Sequence, residues 1–117
     1  MTHKKVDTLV IGGGQAGLAI SEHLGRRGLS HLVVERKRIA ERWRSERWDS
    51  LVANGPAWHD RFPNMTFATV DPDAFAPRAA IVEYFEAYAK QISCPIECGV
   101  NVSSLHKQPD GSGFVAE

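Results

Sequence analysis

Glycines at positions 12, 14 and 17 form the pattern G-x-G-x-x-G, and an acidic residue, Glu35, stands eighteen residues beyond the last of them. Where a strand hands over to a helix, each glycine of this pattern has its own task. Gly12 permits the tight turn, Gly14 lets backbone approach a pyrophosphate, and Gly17 lets helix and strand pack closely. The unpaired N–H groups and the positive dipole end at the start of that helix then make an anion site without any basic side chain. Backbone from Gly12 through Gly13, Gly14, Gln15 and Ala16 is the expected cradle of a diphosphate. Glu35 would accept hydrogen bonds from both ribose hydroxyls of an adenosine and would repel a 2′-phosphate, which favours FAD or NAD over NADP at this position. A glycine turn with a purely structural purpose is the competing reading. The succession of strand, turn, helix and acid favours the dinucleotide.

The surrounding elements fit that role. Val6 to Ile11 is a short β-branched run ending at three glycines, as a buried strand before a tight turn does. From Gln15 to Arg27 the spacing of Ala16, Ala19, Ile20, His23 and Leu24 predicts a helix, with Gly28 where a C-terminus prefers it. His31 to Glu35 reads as a second buried strand, so the unit is βαβ with parallel strands and a right-handed crossover. Residues 36–49 interleave both signs of charge with Trp43 and Trp48, predicting a short exposed helix or structured loop. The prolines at 56, 63, 72 and 77 make 53–77 a wrapped loop. Helical spacing resumes at Arg78, with Ile81, Phe85, Tyr88 and Ile92 on one face, and Pro95 is expected to stop that helix. Val100 to Leu105 reads as a third strand, and D-G-S-G at 110–113 as a turn into a fourth at Phe114 to Ala116. The fold class is α/β, a Rossmann-like domain on a parallel sheet.

Composition narrows the function. The 117 residues carry 14 Lys plus Arg against 14 Asp plus Glu, a formal net charge of zero. That balance lacks the attraction a nucleic acid or an anionic membrane requires, so neither is the expected partner. Cys94 and Cys98 supply half of a zinc site at most and read as reduced thiols. Asp7 and the glycines at 12–14 interrupt the N-terminal apolar stretch, which argues against a signal peptide and for the cytoplasm. Trp48 and Trp58 read as packing residues. Asn54 before Gly55-Pro56 is a natural turn residue, and the neighbours His59 and Asp60 are not expected to pair as base and orienter.

The stretch from Val6 to Trp43, with V-E-R at 34–36, resembles the FAD-binding entry of the flavin-containing, class B monooxygenases. R-W-D-S-L at 47–51, Asn54-Gly55, F-P-N at 62–64 and I-V-E-Y-F-E-A-Y-A at 81–89 resemble that family in order and spacing. The resemblance implies that Gly12 to Ala16 cradle the FAD pyrophosphate, Glu35 holds the ribose and Arg36 lies against the adenine. It further implies that Arg42 and Trp43 flank the flavin, while Asn54 and Gly55 approach the isoalloxazine edge. It implies NADPH or NADH as co-substrate, and a small-molecule substrate oxygenated by a flavin C4a-hydroperoxide. One departure stands out: relatives usually carry glycine just before the Trp segment, where this sequence has Ala40, Glu41 and Arg42.

No second glycine fingerprint occurs in the sequence. The expectation is therefore an incomplete FAD-binding domain, residues 1–117, without its nicotinamide domain, inactive by itself and able to associate through an exposed sheet edge. Two alternatives stay open. One is another two-dinucleotide FAD/NAD(P) oxidoreductase, such as a pyridine-nucleotide disulfide reductase, which would want a C-x-x-C or C-x-x-x-x-C after the second strand that Cys94 and Cys98 do not supply. The other is a non-catalytic, truncated module that holds FAD or NAD, or nothing, and acts by association.

Overall fold

The computed structural model describes residues 3–117. Strand β1 (Thr8–Ile11) leads through the glycine turn into helix α1 (Gln15–Arg26), and β2 (His31–Glu35) follows. A short helix α2 (Glu41–Ser45), a long loop and helix α3 (Arg78–Gln91) come next, then β3 (Ile96–Cys98), β4 (Leu105–Lys107) and β5 (Phe114–Ala116). β1, β2 and β3 form a parallel sheet in that order, registering Val10 with Val33 and Val33 with Ile96. β4 and β5 form a separate antiparallel hairpin. The βαβ unit stands as the sequence predicts, and among the described residues β1 pairs with β2 alone, leaving its other side as the sheet edge.

The third strand lies earlier than expected. Residues 96–98 form the ladder, whereas Val100 to Ser104 run without strand pairing, held by Val100 N–H to the Glu35 carbonyl and by Ser103 and Ser104 N–H to the Glu117 carbonyl. Three residues after a proline give too short a pattern for periodicity to register, while the β-branched run that follows is spent on lining a cleft. The end of α3 differs too. Ser93 adopts φ 51°, and its N–H and that of Cys94 close onto the carbonyls of Lys90 and Ala89, so the helix stops before Pro95 is reached. Gly28 ends α1 in the same way, at φ 66°, as predicted.

α1 buries Gly17, Leu18, Ser21 and Glu22, whereas Ala16, Ile20 and His23 of the expected face are exposed. Two of the buried residues are polar because each has a partner: the Ser21 hydroxyl meets His31 Nε2 at 2.8 Å, and Glu22 accepts from the Asn64 amide at 3.0 Å. A hydrophobicity pattern turns such residues outward by construction. α3 behaves as read, burying Ile81, Tyr84, Phe85, Tyr88 and Ala89. The loop of 53–77 wraps onto it through Phe62, whose ring stacks on Tyr88 at 3.9 Å and meets Phe85 edge-on at 5.0 Å. The Tyr84 hydroxyl accepts from Phe62 N–H and donates to the Met65 carbonyl, pinning the loop to the helix. Trp48 and Trp58, expected to pack, are 64% and 58% exposed. Phe62 and Phe67 hold the loop instead, so the larger rings are not needed inside.

Ala40 precedes α2 with φ 60° and ψ 27°, left-handed backbone that a side chain resists. This explains why glycine suits the position. The strain is about 1–2 kcal/mol, against roughly 0.8 kcal/mol for losing one buried methyl. Ala40→Gly is therefore expected to raise the melting temperature by a few degrees in a thermal scan.

Candidate functional site

The turn between β1 and α1 is built from steric necessity. Gly12 sits at φ 106°. A Cβ on Gly17 would fall 1.9 Å from the Gly12 carbonyl oxygen, so the helix approaches the strand end as closely as backbone permits. Gly13, which the fingerprint leaves unspecified, has its own reason: a Cβ there would lie 2.8 Å from Ile96 Cδ1 and 3.1 Å from Glu35 Cβ. At Gly14, the N-cap, a Cβ would meet no atom within 4 Å. No side chain caps α1, and its first intrahelical bond from this end runs from Leu18 N–H to the Gly14 carbonyl. The amides of Gln15, Ala16 and Gly17 therefore open onto the cleft as donors.

Glu35 ends β2 beside this turn, half-buried. Its Oε1 accepts from Gly13 N–H at 3.0 Å and its Oε2 from Lys37 N–H at 2.7 Å. Two amides of the glycine turn are thus taken by the chain itself, that of Gly13 by Glu35 and that of Gly12 by the Val34 carbonyl at 2.8 Å. A carboxylate offers about four lone-pair directions, so two remain for other donors.

These residues line a cleft of about 660 Å³ that Gly12 to Gly17, Glu35, Arg36, Arg42 and Trp43 share. Its far wall is missed by sequence reasoning: Val100, Asn101 and Val102 close it from the segment expected to be a strand. Lys37, Arg38 and Arg47 also reach it, and only their place directly after Glu35 or in the Trp segment could have signalled them. Arg38 pairs with Glu41 at 2.7 Å, and that guanidinium, with the Ser45 hydroxyl, holds the Glu41 carboxyl down to about 2. Arg42 lies 3.8 Å from Glu46, and Arg47 lies over the Trp43 ring at 5.7 Å. The rim is thus basic but largely internally paired.

A second cleft of about 410 Å³ adjoins the first, with Gln15, Trp43 and Phe85 common to both. Asn54 lines this second cleft; Gly55 lines neither, its N–H donating instead to Asp60 Oδ2 at 2.7 Å. The structure therefore brings ten of the twelve sequence-selected residues to one cleft, Asn54 to its neighbour, and leaves Gly55 behind the wall. His59 and Asp60, against expectation, do pair: Nδ1 lies 2.8 Å from Oδ1, because the turn at Pro56 accepts both their N–H groups and folds the side chains together.

A family profile described as an FAD binding domain matches residues 5–47, the stretch that builds the turn, α1, Glu35 and α2. An uncharacterized CzcO-like oxidoreductase of Geobacillus kaustophilus is 37% identical over 106 residues, covering 90% of this chain and 30% of that protein. The solved flavin-containing monooxygenase of Stenotrophomonas maltophilia superposes with a TM-score of 0.75 at 27% identity, over 89% of this chain and 31% of that one. The chain is homologous to the N-terminal FAD-binding domain of class B flavin-dependent monooxygenases and oxidoreductases. This FAD-binding domain spans about a third of the length of the proteins it matches. It also shares its fold, at 17% identity and a TM-score of 0.86, with 98% of the chain covered, with a bacillithiol disulfide reductase of Staphylococcus aureus. Sheet geometry is common to both kinds of enzyme. The two cysteines of this FAD-binding domain are free, Cys94 half-buried with its thiol pushed up by burial and Cys98 exposed. No helix among the described residues is long and apolar enough to cross a membrane.

Proposed function

We propose that this chain holds FAD for an NAD(P)H-dependent flavin monooxygenase that oxygenates a small molecule in the cytoplasm. The observation that carries the reading is the uncapped start of α1 facing a cleft of cofactor size, with a carboxylate at the adjoining strand end. The amides of Gln15 to Gly17 bind the diphosphate, and Gly14 leaves room for it to approach. The free lone pairs of Glu35 accept the ribose hydroxyls. Arg36, exposed on the rim, covers the adenine, while Arg42 and Trp43 border the path toward the second cleft, where Asn54 meets the isoalloxazine edge and Gly55 secures the wall behind. FAD, when bound, supplies electron transfer and oxygen activation, with NADPH or NADH as hydride source. The protein's own part is to grip, orient and exclude water. The domain resembles oxidoreductases beyond the monooxygenases, but the 27% identity to a flavin-containing monooxygenase favours oxygenation over disulfide reduction.

Titration of the chain with FAD, followed by flavin fluorescence and by melting temperature, tests this. Saturable quenching with a ligand-dependent rise in melting temperature is expected, with NADP binding more weakly at the same cleft. Absence of both changes would defeat the assignment.

A further inference from the structure

The second cleft holds a feature that cofactor retention does not use. His59 lines it, and its ring is fixed on two sides: Nδ1 contacts Asp60 Oδ1 at 2.8 Å, and the Trp58 indole stands edge-on at 5.5 Å and 85°. Asp60 is itself held, its Oδ2 accepting Gly55 N–H, and a Cβ on Gly55 would lie 2.7 Å from Asp60 Oδ1. Glycine is thus required at 55 for the carboxylate to sit there.

Contact with His59 keeps the Asp60 carboxyl below its usual range, so Asp60 is an ionised acceptor and the Nδ1 position must carry the proton. In its neutral form the imidazole then presents a lone pair at Nε2. Other charged or titratable groups on this cleft are Arg61 from the same loop and Tyr84 from α3. Arg61 Nε donates to the Trp58 carbonyl and the Tyr84 hydroxyl to the Met65 carbonyl. Both are committed elsewhere, which leaves His59 as the acceptor for a proton. The floor is apolar and aromatic, formed by Phe62, Phe67, Ile81 and Phe85.

We propose that the second cleft binds a small molecule with a planar apolar body and one weakly acidic O–H or N–H group, and that His59 takes its proton while Asp60 orients the ring. The proton passes from the ligand to Nε2, leaving an imidazolium beside the Asp60 carboxylate and an anionic ligand; no electrons move. The ligand's place next to a cofactor rests on the reading of the larger cleft as a flavin site, but the proton transfer does not.

The probe is p-nitrophenol, whose phenolate band reports its ionisation. In near-neutral buffer, where the imidazole can accept a proton, binding to the full chain is expected to lower the apparent pKa of the phenol by about one unit and so to increase the phenolate fraction. His59→Gln is expected to abolish that increase and flatten its pH profile with little change in melting temperature, since the ring is exposed. Asp60→Asn, whose amide can donate to Nδ1 and force the proton onto Nε2, is expected to abolish it as well. An unchanged phenolate fraction in His59→Gln, or no binding of p-nitrophenol to the unaltered chain, would overturn the proposal. FAD titrations of the same samples separate the two readings, because loss of FAD binding with the phenolate signal intact strikes the larger cleft alone.

Discussion

Gly17→Ala is expected to unfold the domain or lower its stability by about 3 kcal/mol or more, at the upper end for overpacking, whereas Gly14→Val should fold and lose the cofactor. The two positions lie three residues apart in one fingerprint, yet they fail for opposite reasons. At 17 the new methyl would occupy space held by the Gly12 carbonyl, 1.9 Å away, and the obstacle is backbone that cannot rotate aside. α1 would have to move off the end of β1, uncoupling the packing of Leu18 beneath it. At 14 the backbone is extended, φ −85° and ψ −163°, which any residue adopts, and a Cβ meets nothing. Replacing the N-cap glycine there costs about 1 kcal/mol at most. The valine methyls instead stand in the cleft where a diphosphate would approach, and at least about a tenfold loss of FAD affinity is expected, some 1.4 kcal/mol. Thermal scans and FAD titration of the two variants give the contrast directly. A stable Gly17→Ala protein, or a Gly14→Val protein that retains FAD like the parent, would contradict these roles.

The same contrast shows what a sequence discloses. The glycine spacing is visible because backbone geometry leaves a compositional trace: a positive φ at 12 and contact with the Gly12 carbonyl at 17 both disfavour a side chain. The first βαβ unit was legible for a related reason, since β-branched runs and a Gly28 terminus are local signals that tertiary packing had no cause to override. The clefts' further walls were not. Val100 to Val102 carry strand-like residues and serve as a lining, because chain direction is set there by single bonds to Glu35 and Glu117 carbonyls rather than by a ladder. Ser21 and Glu22 are buried by partners 10 and 42 residues distant, Ser21 by His31 and Glu22 by Asn64. His59 and Asp60 meet only because Pro56 accepts two successive N–H groups, a turn whose outcome depends on three-dimensional closure and not on residue type. Local necessity is written in composition, and long-range pairing is not.

Glu35 carries both kinds of duty, and this makes its substitution the sharper test of the cofactor reading. Its oxygens hold Gly13 N–H and Lys37 N–H, so the side chain fixes the glycine turn to the end of β2 before any ligand arrives. Glu35→Ala is expected to cost about 1–3 kcal/mol of stability, because Gly13 is buried and its N–H loses its acceptor, whereas the exposed Lys37 N–H regains water. On the proposed reading the variant also forfeits charge-assisted hydrogen bonds to the ribose, a further expected loss of about 1.5–3 kcal/mol in affinity, or roughly tenfold to a hundredfold. A destabilised turn would by itself weaken FAD binding, so the alanine variant cannot separate the two effects. Glu35→Gln can. Its single carbonyl oxygen still accepts from Gly13 if the amide is turned that way, preserving most of the stability, while the negative charge proposed to select ribose hydroxyls over a 2′-phosphate is gone. The expected result is a melting temperature near the parent's, FAD affinity reduced about tenfold, and NADP affinity increased relative to NAD. Should Glu35→Gln leave both FAD affinity and the NADP to NAD preference untouched, the carboxylate would be a structural clasp for the turn, and ribose recognition would have to come from Arg36 and the backbone around it.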